Sequence, residues 1–151
     1  MNLDALLRRF AGSIREPESF RGETTLTADR EALVPLGRVL RDEPGLAFRF
    51  LSDLCGVDLH PAVPRFRVVY HLFSPVTGNR LRLKVPLGEQ DPVVDSVTGI
   101  WETADWHERE CYDLFGIRFR GHPDLRRILL PDHFEGHPLR KDFPLEGVKN
   151  P

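Results

Sequence analysis

From Asp105 to Leu145 the chain reads DWHERECYDLFGIRFRGHPDLRRILLPDHFEGHPLRKDFPL. An acidic helix signal runs into a glycine. An arginine- and histidine-rich stretch follows, punctuated by Pro123, Pro131, Pro138 and Pro144. Proline donates no backbone hydrogen bond and disrupts helix interiors and central strands alike. Beyond Ile117–Phe119 this stretch therefore has room for one or two turns at most, and few ways to pair its own backbone groups. Charges set beside Ile128, Leu129, Leu130 and Phe143 suit a surface built to be covered by another protein.

The preceding residues predict an ordinary domain. Leu3, Leu6, Leu7 and Phe10 share one helix face within Asn2–Phe10. Glu16–Gly22 reads as a polar break, and Glu23–Thr27 as a strand. Asp29 is a plausible N-cap for a helix over Arg30–Arg41, with Pro35 arguing for a later start. Leu46–Leu59 fits either a short helix or a strand pair broken at Gly56. Phe66–Phe73 and Arg80–Val85 form the clearest hairpin, around Gly78-Asn79. Val93–Trp101 suits a strand or a short helix. Asp105 reads as the N-cap of the last helix, with Glu108 completing a capping box. Phe115 should pack on the sheet, and Gly116 is the natural stop. The expected fold is α+β: two layers, a mixed, mainly antiparallel sheet with helices on one face, and an extended C-terminal segment. Residues 1–120 form the globular domain and 121–151 the docking segment.

Composition narrows the function. With 151 residues, 40% hydrophobic and 29% charged, the chain can bury a real core. A net charge of -2 gives no footprint for nucleic acid or an anionic membrane. The first twenty residues do not read as a signal peptide, and no stretch is apolar enough to span a bilayer. Cys55 and Cys111 are too few for a disulfide framework.

Four groups could carry chemistry. His107-Glu108-x-x-Cys111 echoes the H-E-x-x-H pattern of zinc hydrolases, with Glu108 as general base; the blander reading is a surface His and a buried thiol. His122, His133 and His137 could ligate a metal from a loop, though His beside Gly-Pro turns more often hydrogen-bonds at the surface. Glu108, Glu110 and Asp113 with Arg109 could be an acid pair, a solvated face or an ion-pairing docking face, with Arg109 and Asp113 paired at i, i+4. Arg126, Arg127, Arg140 and Lys141 beside apolar anchors suit protein recognition, and the interleaved acids argue against nucleic acid. Mononucleotide, dinucleotide and nucleophile-elbow motifs do not occur in the sequence.

Three blocks, ERECYDLFGI (Glu108–Ile117), GHPDLRRILLP (Gly121–Pro131) and EGHPLRKDFPL (Glu135–Leu145), resemble the C-type subunits of the proton-pumping NADH–quinone oxidoreductase, respiratory complex I. Fainter echoes lie in Leu54–Leu59 and Phe66–Val85. The resemblance implies a cofactor-free structural component of the hydrophilic arm. Its implied neighbours are subunits D, B and I, with docking on the first of these, the one that forms the quinone site. NADH, FMN, iron–sulfur clusters and quinone would belong to partner subunits. The implied location is peripheral, on the cytoplasmic side of the inner membrane. Glu108, Arg109, Glu110, Asp113, Arg126, Arg127, Ile128, Leu130, Glu135, His137, Arg140, Lys141, Asp142 and Phe143 are the expected docking residues. Asp105, Phe115, Gly116, Pro131 and Pro138 are the expected structural ones. Related subunits of membrane-bound hydrogenases and formate hydrogenlyases share the first two blocks. The alternative of another class is a zinc-dependent hydrolase using His107, Glu108 and Cys111.

Overall fold

A computed structural model describes residues 3–146. Helix α1 (Asp4–Arg9) precedes a short hairpin of β1 (Glu18–Phe20) and β2 (Glu23–Thr27). Helix α2 (Leu33–Asp42) follows, then β3 (Phe50–Asp58), β4 (Phe66–Phe73), β5 (Arg80–Leu87) and β6 (Val93–Asp95). Helix α3 (Ala104–Phe115) and β7 (Arg118–Arg120) complete the regular elements. The main sheet has the order β1-β2-β5-β4-β3. Only its β2–β5 pairing is parallel; a separate parallel pair joins β6 to β7. The mixed, mainly antiparallel α+β architecture is the expected one.

Alternation decides the central hairpin, strictly so in β5. Leu81, Leu83, Val85 and Leu87 of β5 face the same core as Phe66, Val68, Tyr70 and Leu72 of β4. Leu33, Leu36 and Leu40 of α2 and Cys111 of α3 join that core. Two glycines allow close packing. A Cβ on Gly37 of α2 would lie 2.9 Å from Ile100 Cδ1, and one on Gly56 of β3 2.7 Å from the Phe115 ring. Trp101 Nε1–H donates to Phe48 O at 2.9 Å and ties the loop before α3 to the loop before β3.

Several local expectations are corrected. The polar break over Glu16–Gly22 contains strand β1. Leu46–Leu59 resolves as a buried turn at Leu46–Phe48, followed by one strand that runs straight through Gly56. A 3₁₀ turn over Arg30–Ala32 delays α2 until Leu33, so Pro35 falls in the first turn, where no intrahelical donor is lost. Asp29 makes no capping bond and pairs instead with Arg15. Asp105 is not the N-cap of α3. Thr103 holds that position, and its hydroxyl donates to Leu51 O at 3.2 Å. Glu108 closes no capping box: it points into the interior and accepts the Val97 N–H at 2.7 Å.

Candidate docking surface

The C-terminal segment leaves the sheet after β7 and lies back across α3. Its main anchor is Asp113, whose side chain is fully buried. Asp113 Oδ2 accepts three successive backbone N–H groups, from Ile128 at 3.1 Å, Leu129 at 2.8 Å and Leu130 at 2.9 Å. Its Oδ1 accepts Arg127 Nη1–H at 2.6 Å. Burial alone would push this carboxyl up. The three amides and the guanidinium outweigh burial and hold it below the usual carboxylate range.

The last four carbonyls of any α-helix lack intrahelical partners. Here each one is satisfied. Gly116 N–H, in the left-handed conformation at φ +72°, bonds Tyr112 O. His137 Nδ1 lies 2.9 Å from Asp113 O, which only accepts, so Nδ1 carries the proton. Leu139 N–H reaches Leu114 O at 3.1 Å, and Arg140 Nε–H reaches Phe115 O at 2.7 Å. The segment is thus the C-cap of α3. Arg109 fastens it further along, donating to Arg126 O and Arg127 O at 3.2 and 3.0 Å.

A second hub ties the segment to the β3–β4 connection. Arg65, 3% exposed, forms a two-pronged bond to Asp58 at 3.0 and 2.8 Å. The same guanidinium reaches Glu89 at 2.6 Å and Asp142 at 2.7 Å. Asp58 also accepts Lys141 N–H at 2.8 Å and His60 N–H at 2.9 Å. The Arg65 hydrogen bonds, helped by these amides, hold the Asp58 carboxyl far below its usual range.

The expected docking residues therefore divide. Glu108 and Asp113 are buried, so neither faces outward. The Arg109–Asp113 pair does not form, because three amides and Arg127 already occupy the carboxylate. Arg127, His137 and Arg140 are turned inward onto α3, and Arg140 also lies over the Phe66 ring. Asp142 is engaged by Arg65. Phe143 stacks on Phe134 with ring centroids 6.1 Å apart. Pro131 and Pro138, read as structural, lie in this strap. Glu110, Arg126, Glu135 and Lys141 are exposed, with Ile128 and Leu130 half-buried.

What faces solvent beside them is a groove of about 620 Å³ lined by Glu102, Asp105, Trp106, Glu110, Ile128 and Leu129. Trp106 is 69% exposed and Leu129 61%. The sequence alone does not single out Trp106, Arg65 or Asp58. Trp106 is legible as a large apolar residue on an otherwise charged helix face; nothing local marks Arg65 as buried. Among the described residues, neither metal set suggested by the motifs assembles. Cys111 and Glu108 are buried while His107 is half-exposed beside Asp53, and His122 and His137 bond separate carbonyls.

Fold and site together define an α+β domain with a self-anchored C-terminal strap. The family model described as respiratory-chain NADH dehydrogenase, 30 Kd subunit, matches residues 26–149, and the chain belongs to that family. It is 49% identical to the second C-type subunit of the NADH-quinone oxidoreductase of Rhizobium meliloti (strain 1021), over 99% of this chain and 82% of that one. It is 48% identical to the C-type subunit of the same enzyme from Citrifermentans bemidjiense, over 94% and 87% of the two chains. Among solved structures, the trypsin-resistant fragment of Nqo5 superposes with a TM-score of 0.67 at 36% identity, covering 83% of this chain and all of the fragment. A chain of an archaeal membrane-bound sulfane sulfur reductase shares the fold, with a TM-score of 0.78 at 22% identity over 95% of this chain and 84% of that one.

Proposed function

We propose that this chain is a structural component of an NADH–quinone oxidoreductase, and that residues 121–151 with the outer face of α3 dock on the quinone-site subunit. Residues 147–151 of that segment lie outside the described residues. In this reading the chain holds no redox group. NADH, FMN, iron–sulfur clusters and quinone act in partner subunits, with subunits B and I adjoining, and the chain sits peripherally on the cytoplasmic side of the membrane. The observation that carries the reading is the strap itself. Buried ion pairs fix it from inside, while Trp106, Ile128 and Leu129 are left facing out within an acidic rim. Large apolar anchors surrounded by charge are the usual make-up of an interface centre. Family membership points to the partner. The division of labour follows: Arg127 and Arg140 shape the strap, while Trp106, Leu129, Glu110, Arg126 and Lys141 meet the partner.

The test is co-expression with the quinone-site subunit. Trp106→Glu with Leu129→Glu changes two exposed positions and should leave the melting temperature of the isolated chain within about 2 °C of wild type. Co-purification with the quinone-site subunit should be lost. Normal co-purification of the double variant would overturn the docking reading.

A further inference from the structure

The outer face of the main sheet carries a group of side chains that docking does not use. Asp53 on β3 stands directly across from His71 on β4. Cys55 lies two residues along β3, on the same face. The register shifts between Leu51 and Asp53, and this bulge creates the juxtaposition. It keeps Leu51 and Leu54 both in the core while turning Asp53 toward His71. The ligand atoms of Asp53, Cys55 and His71 all lie within 4.8 Å of one another. His107, reaching over from α3, places Nδ1 3.6 Å from Asp53 Oδ1. Cys55 and His71 are half-buried and Asp53 is exposed.

We propose that Asp53, Cys55, His71 and His107 form a site for a divalent ion of zinc type. Thiolate, imidazole and carboxylate together are the donor set that such borderline-soft ions take in tetrahedral geometry, and hard ions such as magnesium do not. Metal–ligand distances of about 2.0–2.3 Å put neighbouring donor atoms about 3.3–3.7 Å apart. Side-chain adjustments of about an ångström therefore bring Asp53, Cys55 and His71 onto one ion, and His107 would turn in from beside Asp53 as the fourth ligand. One neighbouring cation is already engaged: Arg82, across from His71, pairs with Glu23 and donates to Thr25. Binding exchanges the Cys55 S–H for an S–metal bond and releases one proton, while the two imidazoles bind through neutral ring nitrogens. The ion would staple the edge strand of the sheet to α3, the helix that carries the strap.

The full chain, stripped of metal, is titrated with zinc chloride against a chromophoric chelator. One ion should bind per chain. Cys55→Ser and His71→Ala should each weaken binding at least tenfold, as should His107→Ala, whereas Cys111→Ser should leave it unchanged. Cobalt loading of the wild-type chain needs no variant. It should give a thiolate-to-cobalt charge-transfer band, absent in Cys55→Ser. Metal-free melts confirm that each variant folds. Lack of one-to-one binding, lack of that band, or undiminished affinity in Cys55→Ser or His107→Ala would overturn the site.

Discussion

Gly56 and the ring of Phe115 compete for one space: a Cβ on Gly56 would stand 2.7 Å from Phe115 Cδ2. The edge strand is therefore stripped of a side chain where the last helical residue lies on it. Gly56→Ala should cost about 1–3 kcal/mol by overpacking. Phe115→Ala, at a partly buried position, should cost about 3 kcal/mol. The double variant should recover at least about 0.5 kcal/mol relative to the sum, because the new methyl occupies vacated volume. Denaturant titration of all four chains closes the cycle, and strict additivity would separate the two residues.

Asp113→Ala should destabilise by about 3–5 kcal/mol, since it strands Arg127 and three amides. Hydrogen exchange localises the loss: the amides of Ile128, Leu129 and Leu130 should be protected in the isolated wild-type chain and fast in the variant. Fast exchange in both would mean that the strap is held elsewhere. The acid limb follows the same residue. Its folded-state pKa is depressed, so its contribution is present above about pH 3.8 and lost as pH falls through the folded value.

Gly116→Ala should cost at least about 1 kcal/mol from the left-handed backbone alone. The new Cβ would also stand 2.6 Å from the His137 ring and 2.7 Å from Arg140 Nη2. The ring of His137 should therefore shift, and its NMR signals report this directly. Unchanged His137 resonances would contradict the contact.

Glu108 should make the protein less stable as pH rises. Burial, opposed by the Val97 N–H and the Ser96 hydroxyl, lifts its carboxyl from 4.5 to about 7. Below about pH 4.5 the folded and unfolded chains both carry the proton. Between 4.5 and 7 the unfolded chain releases it first, and folding loses about 3 kcal/mol. Glu108→Gln should remove that slope. His137, held below 6.5 chiefly by burial, works in the opposite sense near and below that pH, so the difference between wild type and variant is the quantity to plot. Identical pH profiles for both chains would refute the assignment.

The parts legible in the sequence are those governed by short-range pattern. The β4–β5 hairpin follows from the apolar run of β4, the strict alternation of β5 and a turn dipeptide, and the end of α3 from Gly116. Family membership is legible for the same reason, because three contiguous blocks carry it. What the sequence hides is direction. Glu108 and Asp113 read as surface charge because acids on a helix usually face water, yet both are buried. Their partners, Val97 and residues 127–130, lie 11 to 17 positions away. Asp105 illustrates a smaller limit: a capping box needs Glu108 free to turn back, and the interior had already claimed it. β1 escapes notice because a three-residue strand of exposed residues has no periodicity to display.

Arg65 is one cation shared among Asp58, Glu89 and Asp142. Its guanidinium is sunk from view, while Glu89 and Asp142 keep 53% of their side chains in solvent. A molecule approaching this corner therefore touches carboxylates first, although the neighbouring sequence, Arg140-Lys141-Asp142, reads as basic. With Arg140 folded down on Phe66, Lys141 is the positive charge of that run left exposed. What this corner presents to solvent is thus two carboxylates beside one ammonium, a pattern that charge counted along Arg140-Lys141-Asp142 does not show.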